Sequence, residues 1–407
     1  MLSSVTIVIA LLLSCAQGAP QQSDNVLPAE AFSPLVAQKV LATAQQIQSP
    51  PRYPQWTDRN AGTWQYFSPD TWTTGFFPAT LYALNDRKTL CKTKDATLAN
   101  TNWLGLAQTW SAAEIPLEVK TGVGHDVGFL SFPFAEELEL NKNNQTAIDA
   151  VNKFATALAA RYSPIVGCTR SWDAADPTDF QVIIDNMMNL EVLFVSYEYT
   201  KNETLREIAI SHANKTMVNH LRPDGSSFHV VDYNSTTGKV FRQRTSQGFA
   251  DNSTWSRGQA WGIYGFANMY KRTQIFDYLK TARHMADYFL DNMPTNGIVP
   301  WDFNAPVASR PADSSAAMIA ATGLLLLAQQ ELKSAPPNLS NYYHWLNGAS
   351  SLINKMTELA WRPSWQSLLA NGTVNNPAQN NLTGIVYGDY YFIRAANEMV
   401  RMGAVSC

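Results

Sequence analysis

Apolar residues recur at three-to-four spacing in about twelve segments, and no other feature of the chain constrains its fold as strongly. The segments lie near 30–48, 73–86, 95–114, 126–140, 145–162, 181–200, 203–220, 256–273, 277–292, 312–333, 341–360 and 384–402. Each is long enough to form an amphipathic helix, and each must cover its apolar face against another. After the first 18 residues no linker, charge block or low-complexity tract divides the sequence, so 19–407 reads as one domain. Twelve helices in six pairs predict an all-α toroid with an inner and an outer ring. Alternate helices run the same way in a closed ring, so their N-termini gather on one rim, where free N–H groups and helix dipoles favour an anionic ligand. A single polar funnel is expected there. Strand signals are sparse: Phe228–Tyr233 and Lys239–Arg242, around a turn at Thr236–Gly238, predict a β-hairpin insertion near 228–242.

At the N-terminus, Val5 to Leu13 is apolar except for Thr6, and small residues follow at Ala16, Gly18 and Ala19, which reads as a signal peptide over 1–18. No Lys or Arg precedes that run, and Leu12-Leu13-Ser14-Cys15 has the look of a lipoprotein box. The sequons at Asn144, Asn202, Asn214, Asn234, Asn252, Asn338, Asn371 and Asn381 favour instead a eukaryotic secretory route and an extracellular glycoprotein. No later stretch offers the roughly 18 uninterrupted apolar residues of a membrane span. Without Cys15, the cysteines at 91, 168 and 407 allow at most one intramolecular disulfide and leave one thiol over. A formal charge of -3 supplies no footprint for nucleic acid or an acidic membrane. The 12 tryptophans suit a carbohydrate-handling surface, or the filling of a large core.

Two aspartates break otherwise apolar helix starts. Phe180 to Leu190 is apolar nearly all round except at Asp185 and Asn189, which share a face at i, i+4. A buried carboxylate costs several kcal/mol unless it is paired or functional, so this pair is either a satisfied core network or part of a site. In Gly124-His125-Asp126-Val127-Gly128-Phe129, Asp126 is either a helix N-cap or the second acid of a pair, and sugar chemistry characteristically uses two carboxyl groups. Trp255-Ser256-Arg257-Gly258-Gln259-Ala260-Trp261-Gly262 places Arg257 and Trp261 on one face beside a stripe of Gly258, Gly262 and Gly265 that admits a close neighbouring helix. Arg257 has the fork for a carboxylate, either a ligand's or a structural acid's, and Trp261 has a ring face for a sugar. His229 lies in the predicted hairpin and Gln247 in a loop before the Trp255 helix. Gly-x-Ser-x-Gly, His-Glu-x-x-His and phosphate-cradling loops are all missing, so metal and nucleotide mechanisms have no positive support.

These residues resemble the unsaturated glucuronyl hydrolases of glycoside hydrolase family 88. The matching stretches run from Trp72-Thr73-Thr74-Gly75-Phe76-Phe77-Pro78 through His125-Asp126-Val127-Gly128-Phe129, Arg170-Ser171-Trp172 and Ile184 to Leu190. They continue through Trp255 to Trp261 and Asp313-Ser314-Ser315-Ala316 to Tyr387-Gly388-Asp389-Tyr390, spanning nearly the whole chain after the signal. The resemblance implies an (α/α)6 barrel, in accord with the helix count, and oligosaccharide substrates that carry a C4=C5 unsaturated uronic acid at the non-reducing end. It implies a route through hydration of the enol ether, with Asp185 protonating C4 and Asp126 orienting the substrate hydroxyls. His229, Gln247, Arg257, Trp261 and Trp72 match positions that hold the uronate, and His125, Asn189 and Trp255 belong with the same substrate-binding set. No metal or organic cofactor is expected. The alternatives on such a barrel are an unsaturated rhamnogalacturonyl hydrolase, a conventional inverting glycosidase, and a non-catalytic carbohydrate-binding protein. One departure stands out: Asn252 creates a sequon where family members tend to have an acid, and a glycan there would crowd the funnel, so Asn252 is expected to be unmodified.

Overall fold

In the computed structural model, which describes residues 26–407, the helical segments close into two concentric rings. The signal-peptide expectation for 1–18 lies outside the described residues. In chain order the helices are α1 (Pro34–Ala44), α2 (Phe76–Leu90), α3 (Ala96–Asn100), α4 (Trp103–Ala112), α5 (Val127–Leu130), α6 (Phe132–Leu140), α7 (Gln145–Ala159) and α8 (Asn186–Asn189). They continue as α9 (Glu191–Thr200), α10 (Glu203–Asn219), α11 (Ser256–Thr273), α12 (Phe276–Asp291), α13 (Ser314–Lys333), α14 (Leu339–Ala360) and α15 (Val386–Arg401). The inner ring runs α2, α5 with α6, α8 with α9, α11, α13 and α15, which packs back on α2. The outer ring is α1, α4, α7, α10, α12 and α14. This is the (α/α)6 barrel.

Composition separates the rings. Outer helices such as α7 bury one stripe (Ala147, Ala150, Val151, Phe154, Leu158) and expose the rest, whereas inner α13 is buried on nearly all sides. By length and hydropathy α13 matches a membrane span, but 83% of its apolar window is buried inside the barrel. Small residues let inner helices approach: a Cβ on Gly265 of α11 would lie 2.5 Å from Met187 Cβ at α8. Ring closure is riveted by Arg87 of α2, 3% exposed, whose Nε and Nη groups donate to Asn397 Oδ1, Ala31 O and Ile393 O at 2.7–3.1 Å. Because each acceptor comes from elsewhere in sequence, the seam holds the first and last inner helices together.

Two departures from the sequence reading bear on the site. Segment 181–200 is not one helix: Asp179–Ile183 is a strand, followed by α8 and α9. Phe180 and Val182 point to one side, into a small apolar cluster with Val231, Tyr233 and Cys168, and this period-2 pattern is hidden by the helical run that follows. The predicted hairpin is also part of something larger. Naming the strands β1 (Tyr53–Thr57), β2 (Trp64–Phe67), β3 (Tyr162–Ser163), β4 (Cys168–Thr169), β5 (Asp179–Ile183), β6 (Val230–Asn234), β7 (Val240–Arg244), β8 (Gly372–Asn375) and β9 (Asn380–Thr383), the hairpin β6–β7 is extended by β5 into a three-stranded antiparallel sheet. Ile183 pairs with Val230, and Ile184 N–H donates to His229 O at 3.0 Å, so the sheet delivers Asp185 and His229 to the same point on the rim.

Candidate active site

The predicted residues converge at the N-terminal ends of the inner helices. Asp126 closes a 3-10 turn (Gly124–Asp126) ahead of α5, and Asp185 stands at the N-cap position of α8. Neither carboxylate accepts a capping hydrogen bond, so the N-cap account of Asp126 fails. The two turns touch because Gly128 lacks a side chain: a Cβ there would lie 2.4–2.5 Å from Asn189 Oδ1, Cα and Cβ. Asn189 does not pair with Asp185, as a core network would require. Its amide nitrogen lies 3.1 Å from His125 Nδ1, and the same side chain favours the ionised form of Asp126.

Burial governs the electrostatics. Asp185 is 7% exposed, and burial pushes its carboxyl up to about 7 from the ordinary 3.8, against the opposing pull of Arg257, its own backbone N–H and the Trp261 side chain. Asp126 keeps 16% of its side chain exposed, yet burial and then the Asp185 charge hold it well above the usual carboxylate range. Both acids therefore hold their protons to higher pH than an ordinary carboxylate does. Beside each acid stands a buried neutral histidine. His125 Nε2 lies 3.4 Å from Asp126 Oδ1, and burial lowers this imidazole to about 3. His229 Nε2 lies 3.7 Å from Asp185 Oδ1, with burial and Arg257 driving its pKa well down.

Aromatic rings wall the pocket. Trp72, half-buried, packs on Tyr387 at 5.0 Å and Phe129 at 5.5 Å between centroids, so it retains a face for a sugar ring. Trp261 does not: it is fully buried between Phe129 (5.3 Å) and Tyr391 (5.7 Å), which corrects the expectation of a stacking platform. Trp255, 2% exposed, stacks on His229 at 4.2 Å and beneath the Arg257 guanidinium at 4.5 Å.

Arg257 differs most from expectation. It is 1% exposed and already forked: Nη1 donates to Asp313 Oδ2 at 2.9 Å and to Thr373 O, while Nη2 donates to Gln247 Oε1 and Val374 O, each at 2.7 Å. Only Nε is without a partner. Arg257 therefore ties α11 to α13, to β8 and to the loop that carries Gln247, and it acts on the pocket through its charge and its Nε. The structural-acid reading of this arginine is the one observed, and Asp313 at the N-cap of α13 is that acid. Several buried polar atoms around the pocket lack partners, among them Asp185 Oδ1, His229 Nε2, Trp255 Nε1, Trp261 Nε1, Arg257 Nε and Tyr387 Oη. Buried polar groups are nearly always paired, and their concentration here marks a surface built for a polar ligand. Sequence reasoning did not pick out Tyr387 Oη or Asp313 as members of the site, although both residues open inner helices at motif positions.

Besides the funnel expected on this rim, the structure shows a polar funnel elsewhere. A cavity of about 870 Å³ opens at the C-terminal ends of the inner helices, lined by Glu136, Glu191, Glu398, Arg272 and Arg394 among others. Its charges neutralise one another: Arg272 pairs with Glu191 and Glu198, and Arg394 with Glu136 and Glu398. None of the ten predicted residues lines it.

No protein-family model matches the chain. The curated unsaturated glucuronyl hydrolase of Formosa agariphila is 35% identical over 343 residues, covering 80% of this chain and 78% of the relative. The crystal structure of an unsaturated glucuronyl hydrolase specific for heparin matches with a TM-score of 0.81 at 28% identity, covering 93% of this chain and 98% of its own. A structure of an Asp-to-Asn variant of UGL with dGlcA-Glc-Rha-Glc matches at 0.82 and 26%, covering 92% and 97%. With its barrel and paired aspartates, this chain belongs to the unsaturated glucuronyl hydrolases, glycoside hydrolase family 88.

Proposed function

We propose that the enzyme removes a terminal 4,5-unsaturated glucuronic acid from lyase-generated oligosaccharides by hydrating the C4=C5 enol ether. The observation that carries this is the pair of uncapped aspartates on one rim, with burial raising the Asp185 carboxyl to about 7. A carboxyl that must protonate carbon in neutral solution needs such a pKa. Asp185 gives its proton to C4 as the π electrons of the double bond form the new C–H bond, leaving an oxocarbenium at C5 and the ring oxygen. Water adds at C5 and returns a proton to Asp185. The resulting hemiketal opens, and the anomeric carbon, now a hemiacetal, expels the rest of the chain.

In this reading Asp126 and His125 bind the sugar hydroxyls, Trp72 faces the ring, and Nε of Arg257 with the indole N–H groups of Trp255 and Trp261 meets the uronate. Asn189 and Gln247 hold His125 and Arg257 in place. One neighbour is an unsaturated glucuronyl hydrolase specific for heparin and another holds dGlcA-Glc-Rha-Glc, which supports recognition at the glucuronyl end. Purified protein incubated with lyase products of several uronic polymers is expected to abolish the ultraviolet absorbance of the conjugated double bond. Constant absorbance on all of them refutes the proposal.

A secreted, glycosylated protein is proposed as well. The Cys91–Cys407 disulfide suits an oxidising compartment, and the sequon asparagines Asn202 and Asn214 are exposed. Asn252 is exposed too, five residues from Gln247 in the same loop. Glycopeptide mapping is expected to find sugar at Asn202 and Asn214 and none at Asn252; a glycan on Asn252 contradicts the placement of the pocket mouth.

A further inference from the structure

His229 is enclosed by its own neighbours. Its side chain is 1% exposed, clamped between the face of Trp255 at 4.2 Å and the edge of Trp172 at 6.0 Å. One of its nitrogens is occupied and the other faces Asp185. Nδ1 accepts from the backbone N–H of Ser246 at 3.2 Å and of Gln247 at 3.4 Å. Two N–H groups cannot point at a nitrogen that carries its own proton, so Nδ1 is the bare nitrogen and the proton sits on Nε2. Nε2 lies 3.7 Å from Asp185 Oδ1, and neither atom has another partner. Catalytic contacts of this length commonly tighten once substrate is bound. The geometry repeats at the other acid, where the Asn189 amide occupies His125 Nδ1 and His125 Nε2 faces Asp126 Oδ1 at 3.4 Å.

We propose that His229 is the positioning residue of Asp185: locked by the Ser246 and Gln247 backbone, its Nε2–H holds Oδ1 and leaves Oδ2 as the oxygen that delivers the proton. The inference rests on the hydration chemistry proposed above. It assigns the main chain of the 245–247 loop a role: with the Thr245 hydroxyl 3.5 Å from the same nitrogen, two N–H groups set the tautomer of an imidazole that sets the geometry of an acid.

The pH dependence follows in sign. Asp126 from the turn before α5, Arg257 and Trp261 from α11, and Tyr387 from α15 also face Asp185. Arg257, Arg244, His220 and His125 surround His229. Each stays in place when only residue 229 changes. An N–H donated to a carboxylate favours its charged form. Loss of that donor raises the pKa of Asp185 and carries the alkaline limb of kcat upward, because the protonated acid starts the reaction.

Two substitutions separate the functions of the ring. Asn puts a carbonyl oxygen where Nδ1 stands, keeping the loop contact and losing the donor; Gln puts an amide nitrogen where Nε2 stands, keeping the donor. His229→Asn is expected to lower kcat about tenfold, with the alkaline limb moved up by roughly half to one pH unit and KM within about twofold. The limb of His229→Gln is expected to stay at the wild-type position. Imidazole ¹⁵N spectra of the wild-type protein are expected to show His229 as the neutral Nε2–H tautomer. Coincident pH profiles for the two variants, or a proton on Nδ1, overturn the assignment. Wild-type protein inert on every unsaturated oligosaccharide defeats the hydration reading instead, and the spectrum then still decides the tautomer.

Discussion

Replacement of Asp185 by Asn should make the protein inactive and more stable, with the stability gain growing as pH rises. The carboxyl is pushed from an ordinary 3.8 to about 7 by burial, and each pKa unit is about 1.4 kcal/mol of preference for the neutral form. A raised folded-state pKa means that stability is intact below pH 3.8 and is lost as pH climbs through 7, because the unfolded chain releases the proton more readily. Linkage puts the cost at about 2 kcal/mol at pH 5 and about 4 kcal/mol at pH 8. Asparagine is neutral throughout and nearly isosteric, so it removes that cost. Urea denaturation of both proteins at pH 5 and pH 8 tests this, with the difference between them expected to widen by about 2–3 kcal/mol over the interval. Turnover, followed by double-bond absorbance, is expected to fall by at least about 10²–10⁴-fold, the usual contribution of a positioned acid, while disaccharide binding by tryptophan fluorescence changes little. A stability difference that stays flat with pH would mean Asp185 is already ionised in the fold, and the raised pKa on which its acid role depends would be wrong.

Other consequences are equally open to measurement. Gly128→Ala places a methyl 2.5 Å from the Asn189 Cα; the shift this forces between the Asp126 and Asp185 turns should cost about 10²-fold in kcat, visible in single-turnover kinetics of a protein that still melts cooperatively. Arg257→Lys offers one nitrogen for the four acceptors now held by two, so carbonyls of β8 and a face of Asp313 lose their donors. Destabilisation of about 2–4 kcal/mol by denaturant titration is expected, and an unchanged midpoint counts against Arg257 as the tie between α11, α13 and β8. Cys407→Ser opens a closure spanning 316 residues between α2 and the C-terminus, with an expected loss of about 2–4 kcal/mol; wild-type protein treated with reductant should melt with the variant.

The barrel was legible because its signal is local and repeated. A 3.6-residue period needs only neighbouring residues, and α10, α11, α12 and α13 fall within two residues of the segments read from the sequence. Pairings that cross the chain carry no such signal. β5 finds β6 some fifty residues later, Arg257 finds Asp313 across 56 residues, and the second funnel is made by ion pairs such as Arg272 with Glu191, 81 residues apart. Of the three candidate cysteines nothing local could choose a pair, and the structure joins Cys91 to Cys407 and leaves Cys168 buried and reduced.

The misread segment is also the most informative one. Asp185 stands out in an apolar run that reads as a helix, whereas the residues before it form a strand, and the difference bears on function. A strand entering the site has its backbone satisfied by β6, so it can bring Asp185 to the rim and stop without leaving unpaired carbonyls. The helix turn that follows offers free N–H groups that an N-cap aspartate would ordinarily take, and Asp185 declines them. A capped Asp185 would be held in its charged form, with a pKa below the ordinary value. Turned instead toward His229 and the pocket, it keeps a proton at neutral pH. The local rule is broken at a residue whose chemistry requires it to be broken, which is why an acid at the strand-to-helix junction serves this reaction where the same acid one turn into a helix would not.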